Sequence, residues 1–273
     1  MINDTAIEDF RATVWGYYRD HGRHDLPWRF PEASGQFDPY KILVSEVMLQ
    51  QTQVARVIPK YQEFLRRFPS VQALAGAGLG DVLRAWNGLG YNRRAKFLHQ
   101  AAKCIANEYS GSLPQEVSQL VKLPGIGVNT AGAVVAYAFN QPIAFLETNI
   151  RTVFIYHFFA DKTAVADQEI LHLVNQTVGP ENPREWYWAL MDYGSYLKQT
   201  TGNLNKLSKH YSKQSKFEGS KRQIRGHVLR LLGTQSLTYE QLIQQITDPR
   251  LQEVVDDLLR EGLITRKGQA LTL

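Results

Sequence analysis

The chain of 273 residues contains a single cysteine, Cys104. That excludes an intrachain disulfide, a four-cysteine zinc site and an all-cysteine iron–sulfur cluster. No run of 18 apolar residues occurs, so no transmembrane helix is expected. The first residues, MINDTAIEDFRATVWGYYRDHG, mix charge with apolar side chains and lack the pattern of a signal peptide, and the expected setting is the cytoplasm. The alternating pattern of strands is nearly missing before residue 230, and no repeat recurs at a fixed spacing. His21 and His24 are the only histidines close together, too few for a metal set, so no metal is expected. What is present is ordinary for a folded protein: 44% hydrophobic and 21% charged residues, enough chain for one large domain or two to three small ones.

The positive charge is localised. The net charge is +5, but residues 198–230 carry nine Lys or Arg against one acid, Glu218, so this segment holds +8 and the rest of the chain sums to −3. A basic segment on a near-neutral body is a footprint for polyanion binding, with a solvated Lys-rich linker as the plain alternative. Tyr196, His210, Tyr211 and Phe217 are interleaved with the charges, which favours nucleic acid.

Helical periodicity dominates the first 200 residues. It predicts helices over 5–21, 40–52, 54–67, 79–86, 93–109, 115–122, 129–139, 149–159, 167–177 and 184–197, punctuated by Pro, Gly and Asn. Gly76, Gly78 and Gly80 read as an interhelical turn. Residues 201–220, rich in Thr, Gly, Asn, Ser and Lys, read as a basic linker. Residues 221–233, 238–247 and 250–261 then read as three short helices, and LITRKGQALTL (263–273) as a two-stranded ribbon turning near Lys267-Gly268. Three helices and a hairpin in so short a tail describe a winged-helix-like module over 221–273. His157 reads as a packing histidine and Cys104 as a buried, inert thiol.

The most informative segment is LVKLPGIGVNTAGAVVAYAF, 120–139. A helix ends near Leu123, Pro124 stops it, Gly125-Ile126-Gly127 turns, and a second helix starts near Val128 or Asn129. The first amides of that helix carry partial positive charge and can hold a phosphate without a charged side chain. Two rival readings stand beside this one. The first is a plain turn between helices. The second is a dinucleotide fingerprint with Glu147 about 20 residues on, which needs a preceding strand and a third Gly or Ala where this chain has Thr130.

Six ordered motifs now stand out: LPWR (26–29), PYKILVSEVMLQQTQVARVIPKY (39–61), WNGLGYNRRAKFLH (86–99), LPGIGVNTAGA (123–133), LETNIRTV (146–153) and MDYG (191–194). Over about residues 10–200 the sequence resembles the helix-hairpin-helix (HhH-GPD) DNA glycosylases, particularly the adenine glycosylase (MutY) and endonuclease III branches. VSEVMLQQTQV looks like the MutY branch. The resemblance implies a mainly α, two-lobed fold with DNA held in the cleft between lobes.

It also implies roles. Glu46, flanked by Val44, Val47, Met48 and Leu49, would be a buried, protonated general acid for the departing purine. Asp192 matches an acidic position near the base pocket, and Leu26, Trp28 and Arg29 match residues lining it, where an aromatic face and a forked donor suit a flipped base. Gln50, Gln51, Thr52 and Gln53 would form a polar patch facing the opened duplex, and Tyr91 would wedge into the base stack. Gly125, Gly127, Asn129 and Thr130 would contact the backbone. Many relatives have a second Tyr where this chain has Asn92.

Three departures from the family pattern are visible. Glu147 stands where relatives have an aspartate that stabilises the sugar cation. The added methylene extends the side chain by about 1.5 Å, and a displacement of about 1 Å can cost on the order of 100-fold in rate. Asn149, two residues on, is retained. Asn129 stands where bifunctional lyases carry the lysine nucleophile, which predicts a monofunctional enzyme. Lys198 stands where the first cluster cysteine would be, and no cysteine follows. No iron–sulfur cofactor is therefore expected, and Lys206, Lys209 and Lys213 are the candidates for the phosphate contacts of that region. The tail is too short for the 8-oxoguanine-reading domain of MutY.

The sequence thus predicts a catalytic domain over 1–200, a linker over 201–220 and the small module over 221–273. The expected activity is hydrolysis of the N-glycosidic bond of a flipped, mispaired or damaged base, a purine favoured, leaving an abasic site. The expected partner is duplex DNA with a lesion or mismatch, bound by a monomer, nucleoid-associated if bacterial, with no membrane involved. Two alternatives remain: a glycosylase for a mismatched pyrimidine or alkylated base, and a non-catalytic binder of damaged DNA.

Overall fold

The computed structural model describes residues 4–273 and contains fourteen α-helices and one small sheet among them. The described chain divides into two compact units. The first comprises the described residues up to Ile42 with Gln115–Val121 and Ile126–Lys213; the second comprises Leu43–Pro114, Lys122–Gly125 and Gln214–Leu273.

In the first unit, α1 (Asp4–His21) buries Phe10, Val14 and Tyr18, the i, i+4, i+8 stripe of an amphipathic helix. Phe10 meets Phe154 and Trp186 with ring centroids 5.2 and 5.9 Å apart. Those partners lie on α9 (Thr148–Phe158) and α11 (Pro183–Thr200). Pro183 opens α11, where its missing N–H costs nothing, and the Asn182 side chain accepts from the Glu185 amide. Between α7 (Val117–Leu120) and α9 runs α8 (Val128–Phe139), whose residues from Thr130 to Ala138 are all buried. It ends at Asn140 in the left-handed conformation (φ 54°), a residue type that tolerates it. Helix α10 (Asp167–Thr177) completes the unit.

The second unit holds α2 (Pro39–Leu49) from Leu43 on, α3 (Val54–Arg67), α4 (Val71–Gly76), α5 (Leu79–Trp86) and α6 (Arg93–Glu108). Phe64, Leu74, Trp86, Leu98 and Ile105 form its core, each essentially without solvent contact. Where a single glycine turn was expected, α4 ends on Gly76 and α5 is already helical at Gly80. The missed helix is capped by Ser70, whose hydroxyl accepts from the Ala73 amide at 3.2 Å.

The tail belongs to this second unit. It runs α12 (Lys221–Thr234), β1 (Leu237–Thr238), α13 (Tyr239–Gln245), α14 (Leu251–Arg260), β2 (Thr265–Lys267) and β3 (Ala270–Thr272). The antiparallel sheet has the order β1-β3-β2, with Leu237 and Arg266 both opposite Leu271. The ribbon turns at Gly268, whose φ of 62° suits glycine. The sequence does not foretell β1. It is two residues long and exists because its partner lies more than thirty residues ahead.

Of the stretch expected to be a linker, residues 204–208 are docked. Leu204–Leu207 form a 3-10 turn with Asn205 buried. The Asn205 amide donates to Thr152 Oγ1 at 2.8 Å, and Ser208 pairs with Val165 in a parallel bridge. Residues 209–219 are exposed.

Candidate functional site

In the first unit, residues 27–29 make one 3-10 turn, closed by the Arg29 amide donating to the Leu26 carbonyl at 2.8 Å. Leu26, Trp28 and Arg29 are all buried, as is Asp192 on α11. The Arg29 fork, expected to face a flipped base, is occupied: Nη1 and Nη2 donate to the two Asp192 oxygens at 2.7 and 2.9 Å. Asp192 also accepts from the Arg23 backbone at 2.8 Å and from Arg23 Nε at 2.7 Å. The Arg29 guanidinium lies over the Trp188 ring, 5.3 Å from its centroid. Burial alone would raise the Asp192 pKa, but Arg29 and Arg23 outweigh it and hold the carboxyl below its ordinary value. This set clamps the 22–30 loop to α11. Arg23, in the HGRH segment, carries no sequence signal that singles it out.

Glu147 is the residue from which α9 starts. Burial pushes its carboxyl pKa above the ordinary value, against the smaller opposing effects of Arg151 and the Thr148 amide. The Arg151 guanidinium is itself bidentate to Asp167, at 2.9 and 2.8 Å. The Asn129 side chain does not point away as a free contact: its Oδ1 accepts the Leu146 amide at 3.2 Å, next to Glu147. Thr130 is buried. Asn149 lies in the first turn of α9, where Gly194 of the MDYG motif passes so close that an added Cβ would run into the Asn149 carbonyl oxygen. The glycine is thus what lets α11 approach α9 at the candidate catalytic residues.

The hairpin has the expected form. Gly125 turns with φ 76° and a Cβ there would lie 2.5 Å from Phe97 Cβ, so only glycine fits. Ile126 is buried, Gly127 precedes the first turn of α8, and Gly125, Gly127 and Val128 are exposed. No acidic side chain occupies that turn. The element before the turn is the short helix α7, which ends at Leu120 rather than near Leu123 as expected, and not a strand, which removes the dinucleotide fingerprint.

In the second unit, Glu46 sits on α2 with Val44, Ser45, Val47 and Met48 buried around it. Its own side chain is partly exposed rather than fully buried as expected. Gln50, Gln51, Thr52 and Gln53 follow the helix end, and Tyr91 follows the Gly88–Gly90 turn. Gln51 (φ 54°) and Tyr91 (φ 46°) are both left-handed, an uncommon and strained state for such side chains. One residue that sequence reasoning missed organises both turns. Arg94, on the first turn of α6, donates to the carbonyls of Val47, Met48 and Gln50 at 2.8, 3.0 and 2.5 Å. It also reaches Thr52 Oγ1 at 3.0 Å and the carbonyls of Leu89 and Gly90 at 3.2 Å each. Its guanidinium lies over Trp86 and Tyr91, 5.4 and 5.5 Å from the centroids. Burial lowers its pKa to about 10. In the sequence it is one of two adjacent arginines, indistinguishable from a solvated charge.

Lys206, Lys209 and Lys213 are exposed, and among the described residues none of them is in an ion pair. Cys104 is only partly buried, and its thiol pKa is raised by burial and by Glu108. His157 packs against Phe10 and Tyr193, its Nε2 3.1 Å from the Tyr193 hydroxyl. Among the described residues no three His, Cys, Asp or Glu could hold a metal, and no helix is long and apolar enough to cross a membrane.

A carboxylate on α2, a second at the start of α9 and a glycine hairpin before α8 together describe a class, and the comparison with known proteins defines it. Residues 44–177 match the HhH-GPD superfamily base excision DNA repair protein. The chain belongs to the HhH-GPD superfamily. It is similar to the adenine DNA glycosylase of Mycolicibacterium smegmatis, with 36% identity over 90% of this chain and 89% of the relative. The enzyme of that name from Mycobacterium tuberculosis is 46% identical over 54% of this chain and 46% of its own length. The human one is 36% identical over 71% and 37%. The chain therefore spans nearly all of one relative and about half or less of the others. Among solved structures, a thermostable thymine-DNA glycosylase superposes with a TM-score of 0.62 at 22% identity, covering 75% of this chain and 95% of that one. A non-covalent endonuclease III–DNA complex gives 0.60 at 18%, covering 72% and 87%. These establish the shared fold.

Proposed function

We propose that the chain is a monofunctional DNA glycosylase of base excision repair that removes adenine from a lesion-containing or mismatched duplex and leaves an abasic site. The observation that carries this reading is the similarity to an adenine DNA glycosylase along 89% of that relative's length, with both candidate carboxylates inside the matched family region. In this reading Glu46 delivers the proton to the leaving purine. Glu147 faces the sugar, where its carboxylate stabilises the developing cation, an interaction that its buried surroundings strengthen. Asn129 offers no amine, so the abasic strand is not cut through a Schiff base. The hairpin amides and the exposed Lys206, Lys209 and Lys213 take backbone phosphates. No iron–sulfur cluster takes part, because one cysteine cannot supply its thiolates. The tail, with its α-β-α-α-β-β order, is a winged-helix module, and the enzyme acts as a monomer.

The test is a panel of lesion duplexes assayed for base release, with Glu46→Gln and Glu147→Asp beside the parent. Adenine release that Glu46→Gln abolishes supports the reading. Release of a pyrimidine or alkylated base instead would make the chain a glycosylase of other specificity. Tight lesion binding without any release would make it a binder. Strand breaks appearing without alkali or heat would overturn the monofunctional assignment.

A further inference from the structure

Four of the eight Lys and Arg residues of the C-terminal module are neutralised by ion pairs among the described residues. Lys221 pairs with Glu253, Arg225 with Glu261 at 2.6 Å, Arg250 with Asp248 at 2.7 Å and Arg260 with Asp257 at 2.8 Å. Arg222, in the same first turn of α12 as Lys221, is in no described ion pair, like Arg230, Arg266 and Lys267, but its fork is held by hydrogen bonds. All its described partners are neutral oxygens: Nη1 donates to the Tyr91 hydroxyl at 2.6 Å, and Nη2 donates to the Ser215 carbonyl at 2.6 Å, the Ser215 hydroxyl at 3.2 Å and the Lys216 carbonyl at 3.4 Å. Its guanidinium also lies 5.8 Å from the centroid of the Tyr91 ring. The fork is therefore held in a fixed orientation while its charge stays uncancelled. Around it stand the exposed left-handed Tyr91, the Gln214 amide that donates to both the Tyr91 hydroxyl and Gln51, and the exposed left-handed Gln51. An exposed ring beside an unneutralised fork and paired amides is a surface with both a base-stacking face and a phosphate donor.

We propose that Arg222 binds a backbone phosphate of duplex DNA at the step where Tyr91 meets the bases, making the C-terminal module a direct part of the DNA-reading surface. This rests on the DNA glycosylase reading above. The phosphate replaces the Tyr91 hydroxyl on Nη1, because its oxygens bring a full negative charge to the guanidinium where the hydroxyl brings only a dipole. The exchange leaves Nη2 anchored on Ser215 and releases the tyrosine ring for stacking. One cation thus both parks the ring in the free protein and trades it for a phosphate on binding.

The experiment measures dissociation constants of the full chain for a duplex bearing one abasic-site analogue, across about 50 to 200 mM salt. Arg222→Gln should bind about 5- to 10-fold more weakly at the low end and flatten the log–log salt slope by about 0.9, the value for one phosphate contact. Arg222→Lys should keep the slope. Arg260→Gln, which removes a cation already paired with Asp257, and Tyr91→Phe, which removes only the hydroxyl, should also keep it. An unchanged slope in Arg222→Gln overturns the proposal, as does equal flattening in Arg260→Gln. Loss of slope in both Arg222 variants together with a lowered melting temperature would mark a folding effect and overturn it too. If the parent releases no base from any duplex yet Arg222→Gln flattens the slope, the glycosylase reading fails and the phosphate contact stands. If the parent releases adenine and the slope is unmoved, the contact alone fails.

Discussion

Asn129 Oδ1 accepts the backbone amide of Leu146 at 3.2 Å, so this side chain fixes the segment that leads into Glu147. The bond ties the start of α8 to the start of α9.

Asn129→Ala is expected to lower the single-turnover rate of base release by roughly 10- to 100-fold, the scale set by misplacing a reacting group by about 1 Å. Asn129→Asp keeps an oxygen for the Leu146 amide and should recover part of the loss. Equal rates in Asn129→Ala and the parent would remove the positioning role.

Asp192→Asn leaves the buried Arg29 guanidinium without its charge partner and should cost about 3–5 kcal/mol in urea unfolding. The folded carboxyl is held below its unfolded value, so the stability it adds is present above about pH 4 and is lost as the pH falls through the lower, folded value. The variant should accordingly lack that part of the parent's acid limb. A parent and variant with superimposable stability–pH curves would contradict this.

Glu147 has the opposite sign. Its folded pKa is raised, so ionising it costs stability, and that cost appears as the pH rises above the ordinary value of 4.5. Glu147→Gln should therefore melt higher than the parent at pH 7, converge with it toward pH 4, and release no base. A variant that melts lower at pH 7 would show that the carboxylate stabilises the fold.

Two glycines should respond in opposite ways. Gly194→Ala drives a methyl into the Asn149 carbonyl and should cost about 1–3 kcal/mol while slowing base release. Gly226, inside α12, has open space where a Cβ would go, and Gly226→Ala should stabilise by about 0.5–1 kcal/mol. Melting curves of the two variants decide both.

Helices with strong amphipathic stripes and clear end signals are legible in the sequence: 54–67, 79–86 and 167–177 are read to the residue. The hairpin was legible because Pro124, Gly125 and Gly127 each have a local stereochemical reason. The short α4 hid behind a run of glycines, and 115–122 shrank to 117–120 because a single turn has almost no periodicity. Glu46, Tyr91 and Glu147 are nominated as candidates by ordered motifs. Arg23, Arg94 and Arg222 are not, because each acts through contacts distant in sequence, and an arginine among polar residues looks the same whether it is solvated or buried on carbonyls.

Arg94 sets a limit on how this protein can vary. Six oxygens from the 47–52 and 89–90 segments converge on one guanidinium, and the left-handed Gln51 and Tyr91 belong to the turns it holds. The two turns are therefore one mechanical part. A residue inserted into either would tear oxygens from the shared donor and distort the other, so loop lengths on this surface can change only together.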